Sequence, residues 1–158
     1  MIRPVVPGDV DLIVELVAEL AAYEKAPEQA VMTAEQLTQA LFGSRPALFG
    51  HLALDADGAP AGFALWFLNF STWTGTHGIY LEDLYVRPES RGSGLGLTLL
   101  RQLARLCVER GYSRLEWWVL DWNAPALGFY RSVGAVPMDE WTVQRLTGTA
   151  LRQLADRD

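Results

Sequence analysis

Three groups of residues in this 158-residue chain are of types and spacings that could do chemistry. Arg91-Gly-Ser-Gly-Leu-Gly96 follows a strand-like stretch and opens a helical one. The free backbone N–H groups of a helix start can receive phosphate oxygens there. Gly92, Gly94 and Gly96, interleaved with Ser93, Leu95 and Leu97, let an anion approach the backbone, and Arg91 adds a fixed positive charge. The segment lacks the Gly-Lys-Ser/Thr of a P-loop, and it comes after a hairpin meander rather than after a first parallel strand, which sets aside the dinucleotide fingerprint. Taken alone, it also reads as a glycine-rich turn needed only for its geometry. The second group is Glu82-Asp83; adjacent strand residues point to opposite faces, so the two carboxylates are not expected to line one site together. The third is Tyr130 with Asn123 upstream. A phenol of pKa about 10 is a usable proton donor, and an amphipathic core tyrosine is the plain alternative.

Other reactive residue types add little. His51 lies in an apolar strand and reads as a core or edge residue, and His77 as a loop histidine. Two histidines so far apart, without carboxylate spacing, make no metal motif, so no metal is expected. Cys107, the one cysteine, has no internal disulfide partner; it falls on the apolar side of a helix and should be packed and inert.

The elements that must position these groups are legible as patterns. Residues 2–6 read as a strand, and Asp9 as the N-cap of a helix with Leu12, Ile13, Leu16, Val17 and Leu20 on one face. Thr33 and Gln36 form a capping-box signature for a shorter helix that stops at Gly43. Leu48–Leu54 and Ala59–Asn69 make an antiparallel hairpin around Asp55–Gly58, residues 70–78 a loop, and Ile79–Val86 a third strand. A helix follows from Leu95 to Gly111, then a strand over Ser113–Leu120, a helix capped by Asn123, a last strand over Thr142–Leu146, and a C-terminal helix. The order predicts an α/β (α+β) domain with a mixed, mostly antiparallel, twisted sheet and helices on both faces.

Composition sets the outer limits. Half the residues are hydrophobic and 20% are charged, so a single globular domain over 1–158 is expected. A chain of this size buries roughly 70% of its unfolded surface. The net charge is −6. Three cations face nine acids in residues 1–60, while 85–132 carries seven arginines against four acids. The chain lacks the basic face that a nucleic acid partner needs, and its longest apolar run is too short to span a membrane. With no signal-peptide pattern, a cytoplasmic location is expected. An acidic region beside a basic one suits a cationic ligand next to an anionic one, or is an ordinary solvated surface.

Three segments occur together and in order: Tyr80-Leu-Glu-Asp-Leu-Tyr-Val-Arg-Pro88, the Arg91–Gly96 turn, and Leu120-Asp-Trp-Asn123 with Gly128-Phe-Tyr-Arg-Ser-Val-Gly-Ala135. They resemble the successive motifs of the GNAT acyl-CoA-dependent N-acetyltransferases, with Arg91, Gly94 and Gly96 at the places of the pyrophosphate motif. The resemblance covers most of the chain. Glu19-Leu-Ala-Ala-Tyr-Glu24, Ser71-Thr-Trp73 and Tyr80-Leu-Glu-Asp83 bring it nearest to the diamine (spermidine/spermine) and thialysine acetyltransferase branch.

The resemblance implies acetyl-CoA as co-substrate, a small primary amine as acceptor, direct transfer without a covalent enzyme intermediate, and a homodimer. It implies Glu82 as general base and Tyr130 as general acid. Coenzyme contacts would come from Leu84, Tyr85 and Val86 at a splayed, bulged strand end, from residues 91–97, and from Asn123, Pro125, Ala126, Tyr130 and Ser132. Acceptor contacts would come from Tyr23, Glu24, Trp73, Glu82, Glu116, Trp117, Trp118 and Glu140, with Asp83 a supporting acid. Ser71, where polyamine enzymes carry Asp, argues for a short amine. The chemistry fits the residue types: an amine of pKa about 10.4 is mostly ammonium at neutral pH, so a carboxylate both attracts it and relays its proton. A protein lysine, an amino acid or an antibiotic amine stays open as acceptor, as does a non-catalytic acyl-CoA sensor.

Overall fold

The long hairpin of β3 (Pro60–Ser71) and β4 (Thr76–Val86) is the axis of the fold. In this computed structural model, which describes residues 1–157, β1 (Ile2–Pro4), β2 (Phe49–Leu54), β3, β4 and β5 (Leu115–Glu116) form one five-stranded sheet in that order. All neighbours are antiparallel except β4 and β5, which run parallel. The β3–β4 hairpin is longer than the sequence pattern indicates. Polar residues on both sides of the turn still pair, so the expected 70–78 loop shrinks to the few residues between Ser71 and Thr76.

Helices cover both faces, as the pattern predicts. α1 (Val10–Tyr23) and α2 (Ala34–Phe42) pack on one face, where Ile13, Leu16, Leu20, Leu37 and Leu41 join Val5, Leu52, Phe63, Leu65 and Tyr85 in one buried cluster. α3 (Leu95–Arg110) buries Leu99, Leu100, Leu103 and Cys107 against the other. On that second face Trp66 stacks on Phe49 at 4.6 Å, and its Nε1–H donates to His51 Nδ1 at 3.2 Å. Burial lowers the His51 pKa, so this histidine is a neutral core residue.

The capping box of α2 is present: Thr33 Oγ1 accepts from Gln36 N–H and Gln36 Oε1 accepts from Thr33 N–H. Asp9 does not cap α1. Its carboxylate takes two bonds from the Arg3 guanidinium, at 2.6 and 2.8 Å, and one from Val6 N–H, and a tight turn over Pro7–Asp9 leads into the helix. An ion pair with a backbone donor added outcompetes a single cap bond.

The chain divides into two compact units, Met1–Trp118 and the part from Val119 onward. The second holds α4 (Ala124–Ser132) and α5 (Gly148–Ala155). The strand expected over Thr142–Leu146 is absent, and the one expected over Ser113–Leu120 pairs only at Leu115 and Glu116. Their alternating pattern is real, but a strand needs a neighbour with free backbone groups, which a local pattern does not reveal.

The register of β3 on β4 contains the decisive irregularity. Leu65 pairs with Asp83 and Trp66 with Leu81, so Glu82 is an extra residue in β4. Beside it Gly62 faces Val86, and a Cβ there would collide with the Tyr85 carbonyl oxygen. Gly62→Ala should therefore destabilise the chain by about 1–3 kcal/mol. The expected result is a lower guanidinium midpoint with an unchanged denaturant slope.

Candidate active site

The bulge decides where the two carboxylates point. In an unbroken strand Asp83 would share a face with Leu81, away from α1. The extra residue shifts the phase, so Asp83 pairs with Leu65 on the α1 side. There it is pushed up to about 7, first by burial and then by the negative charges of Glu82 and Glu24. Glu82 itself is exposed. The expectation that the two carboxylates face apart is thus corrected: both act on one neighbourhood, and Asp83 is the perturbed one.

Tyr23 and Glu24 reach this neighbourhood from the end of α1. The helix closes with Lys25 in the left-handed region at φ 63°, with Ala26 N–H bonded to Ala21 O and Lys25 N–H to Ala22 O. Partial burial raises the Glu24 pKa. Arg87, just past β4, anchors α1 to the strand through Glu19, at 2.7 and 3.0 Å, and through Glu15. Nothing local in Val86-Arg-Pro88 indicates this pairing of Arg87 with residues far back in the chain.

Beyond Tyr80 the other edge of β4 opens. β5 pairs with β4 only at Ile79 and Tyr80, so among the described strands residues 81–86 have a partner on the β3 side alone. Leu84, Tyr85 and Val86 stay in regular register with β3. The splay expected at these residues is present as this open edge, but the bulge sits earlier, at Glu82. An open edge offers unpaired N–H and C=O groups to an extended amide-bearing ligand.

The glycine-rich 91–97 turn has the expected backbone. Gly92 and Gly94 take φ of 78° and 84°, and a Cβ at either would meet nothing within 4 Å. A Cβ on Gly96 would meet only Val86 Cγ2, at 3.8 Å. Thr98 N–H bonds Gly94 O, so the donors of Leu95, Gly96 and Leu97 precede the helical ladder. Ser93 Oγ donates to Ser90 O at 2.6 Å and tightens the turn. This cradle fits the diphosphate of a coenzyme. The Arg91 side chain is placed differently from expectation: its Nε–H donates to Val86 O at 3.0 Å, and its guanidinium lies 4.6 Å from the Tyr23 ring centre and 5.7 Å from that of Tyr85.

The remaining acceptor residues are dispersed. Glu116 is held by Asn69 Nδ2–H at 2.7 Å and by Arg114 at 2.8 Å, a structural pairing. Trp118 sets its ring edge against Tyr80 at 5.7 Å and is exposed, while Trp117 is half-buried. Trp73 is 89% exposed at the hairpin tip. The strand from Thr76 to Glu82 spans about 20 Å at ordinary strand rise, so Trp73 does not wall this chain's own carboxylate cluster. Ser71, at the same tip, accepts Thr74 N–H and serves the turn. In the second unit Asn123 Oδ1 caps α4 by accepting Ala126 N–H, with Pro125 in the first turn. Tyr130 is half-buried beside Phe129, Ser132 Oγ donates to Phe129 O, and Glu140 is exposed.

The Asp83 carboxyl has a pH signature. Its folded pKa is raised, so the folded chain holds this proton more tightly than the unfolded one, and the stability it lends is lost as pH climbs from about 4 to about 7. Asp83→Asn should flatten that slope and melt above the native chain at pH 8, in thermal unfolding scans at stepped pH. Equal slopes in both proteins would contradict the buried carboxyl.

The pattern of the acetyltransferase (GNAT) family matches residues 14–135. The chain is 38% identical to the thialysine N-epsilon-acetyltransferase of Bos taurus, over 99% of this chain and 98% of that one. It is 31% identical to an L-ornithine N5-acetyltransferase of Arabidopsis thaliana, over 97% and 86% respectively. In three dimensions it is similar to an integron cassette protein from the mobile metagenome of V. cholerae, with a TM-score of 0.81 and 28% identity over 99% and 98% of the two chains. A glycine-rich helix start, an open strand edge and a carboxyl raised to about 7 thus occur on a chain that matches one family along most of its length. The protein belongs to the GNAT acetyltransferases, as an N-acetyltransferase with acetyl-CoA as its co-substrate.

Proposed function

We propose that the acceptor is a short, amino-acid-like primary amine, of the kind named in the thialysine and ornithine acetyltransferases to which the chain is similar. The observation that carries this reading is Asp83, held near 7 beside Glu82 and Glu24 where the edge of β4 opens. Exposed Glu82 meets the incoming ammonium. Asp83, about half ionised at neutral pH, takes one of its protons, directly or through Glu82 or a water. The freed nitrogen lone pair attacks the thioester carbonyl carbon; a C–N bond forms and the C–S bond breaks. The nitrogen sheds a second proton, and the departing thiolate gains one from the Tyr130 phenol, which is reprotonated from solvent. No cysteine or serine takes the acetyl group.

In the same reading, the N–H groups of the 92–97 turn hold the diphosphate. The edge at Leu84, Tyr85 and Val86 holds the extended arm, and Asn123, Pro125, Ala126, Tyr130 and Ser132 line the coenzyme from α4. Tyr23 and Glu24 bound the acceptor. Ser71 lies at the hairpin tip. A cytoplasmic homodimer completes the proposal; exposed Val136, Met138 and Trp141 are side chains that a second copy would cover.

Thiol release from acetyl-CoA should be measured against thialysine, ornithine, lysine, short diamines, spermidine and aminoglycosides. Turnover is expected on the amino-acid-like amines. Asp83→Asn and Tyr130→Phe should each lower kcat by about 10²–10⁴. The rate should rise through an apparent pKa near 7 in the native enzyme, a limb that Asp83→Asn removes. Coenzyme binding without turnover on any free amine would instead favour a protein acceptor or a sensor.

A further inference from the structure

Arg91 is the one charged side chain of the anion-binding turn, yet its guanidinium lies at the acceptor end of the site. Nε–H bonds the Val86 carbonyl, and the planar cation sits over Tyr23, the last residue of α1, and within 5.7 Å of the Tyr85 ring centre. Four weak attractions add there: two ring faces, a neutral carbonyl, and the negative end of the α1 dipole. None is a carboxylate, and Arg91 forms no ion pair among the described residues. A guanidinium parked without a counter-charge, and attached to a turn built for anions, is poised to leave.

We propose that Arg91 is a positioning residue that couples the two halves of the site. Without coenzyme it covers the Tyr23 face and repels a cationic acceptor; a diphosphate at the turn draws it off and bares Tyr23. The inference rests on the coenzyme reading of the turn. Its physical basis is a contest between partners. A diphosphate offers guanidinium charge-assisted, bidentate bonds that outbid two aromatic rings and a neutral carbonyl. Tyr23 then presents its ring to the acceptor beside Glu24, Glu82 and Asp83, a surface suited to an ammonium on an alkyl stem. One cation is replaced by another, and the coenzyme must enter first for the acceptor to be held well.

The test uses the full chain carrying 3-fluorotyrosine, whose five tyrosine resonances are assigned with Tyr23→Phe and Tyr85→Phe. Saturating CoA should move the Tyr23 resonance to the position it holds in ligand-free Arg91→Ala and Arg91→Gln. Pantetheine, which lacks the diphosphate, should leave it in place. CoA should also tighten thialysine binding by about tenfold in the native chain and by far less in either variant. The proposal is overturned if CoA binds, shifting other resonances, while Tyr23 stays put, or if the variants show the native Tyr23 resonance without ligand. If calorimetry detects no CoA binding at all, the coenzyme reading itself falls.

Discussion

One inserted residue in β4 governs the site. At Glu82 the strand gains a residue over its partner, and every side chain after it changes phase relative to those before. Ile79 and Leu81 lie on the face covered by α3, and so do Leu84 and Val86, although an even alternation would split them. Asp83 and Tyr85 accordingly turn toward α1 and α2. A carboxyl enters an apolar layer only because the register forces it, and the burial and like charges there hold its proton to about neutral pH. Gly62 makes room for the close approach of the Tyr85 carbonyl near the end of β4, and the early end of the β4–β5 pairing leaves one edge of the bulged strand without a strand partner.

The rest of the fold holds that distortion in place. Leu16 and Leu20 of α1 enter the cluster with Phe63, Leu65 and Tyr85, which fixes the helix on the sheet. Arg87 then fastens the helix to the far end of β4 through Glu15 and Glu19. These ion pairs are partly exposed and contribute little stability for their number. Their value is positional: they set the depth at which the last turn of α1, with Tyr23 and Glu24, meets the strand.

Most of the architecture was legible because its signals are local. The α2 capping box, the Gly94 and Gly111 boundaries of α3 and the Asn123 cap all depend on residues within a few positions of each other. The α1 boundary was found for the wrong reason, since Asp9 binds Arg3 instead of capping. The turn and the carboxylate pair were visible as motifs, but the orientation of Asp83 was not, because adjacent strand residues were given the ordinary alternation. A signal was present: the apolar sequence Ile79, Leu81, Leu84, Val86 slips by one position across Glu82-Asp83, as a bulge requires. Trp73, Ser71 and Glu116 were assigned from motif position alone. Their distances along the hairpin and their pairings depend on tertiary contacts no motif encodes. The two long-range pairings, Arg87 with α1 and Arg91 with Tyr23, left no local trace.

The half-buried Asp83 also implies a form of charge regulation. A carboxyl raised to about 7 first by burial and then by two neighbouring anions responds when a cation arrives, because the new charge offsets their field and favours its ionised form. An ammonium entering between Glu24 and Glu82 would therefore expel a proton from Asp83 before any bond is made. The site would trade one positive charge for another and stay nearly constant in net charge as it fills. The heat of acceptor binding would then depend on the ionisation enthalpy of the buffer. Affinity would weaken on the acid side, where the exchange must displace a fully bound proton.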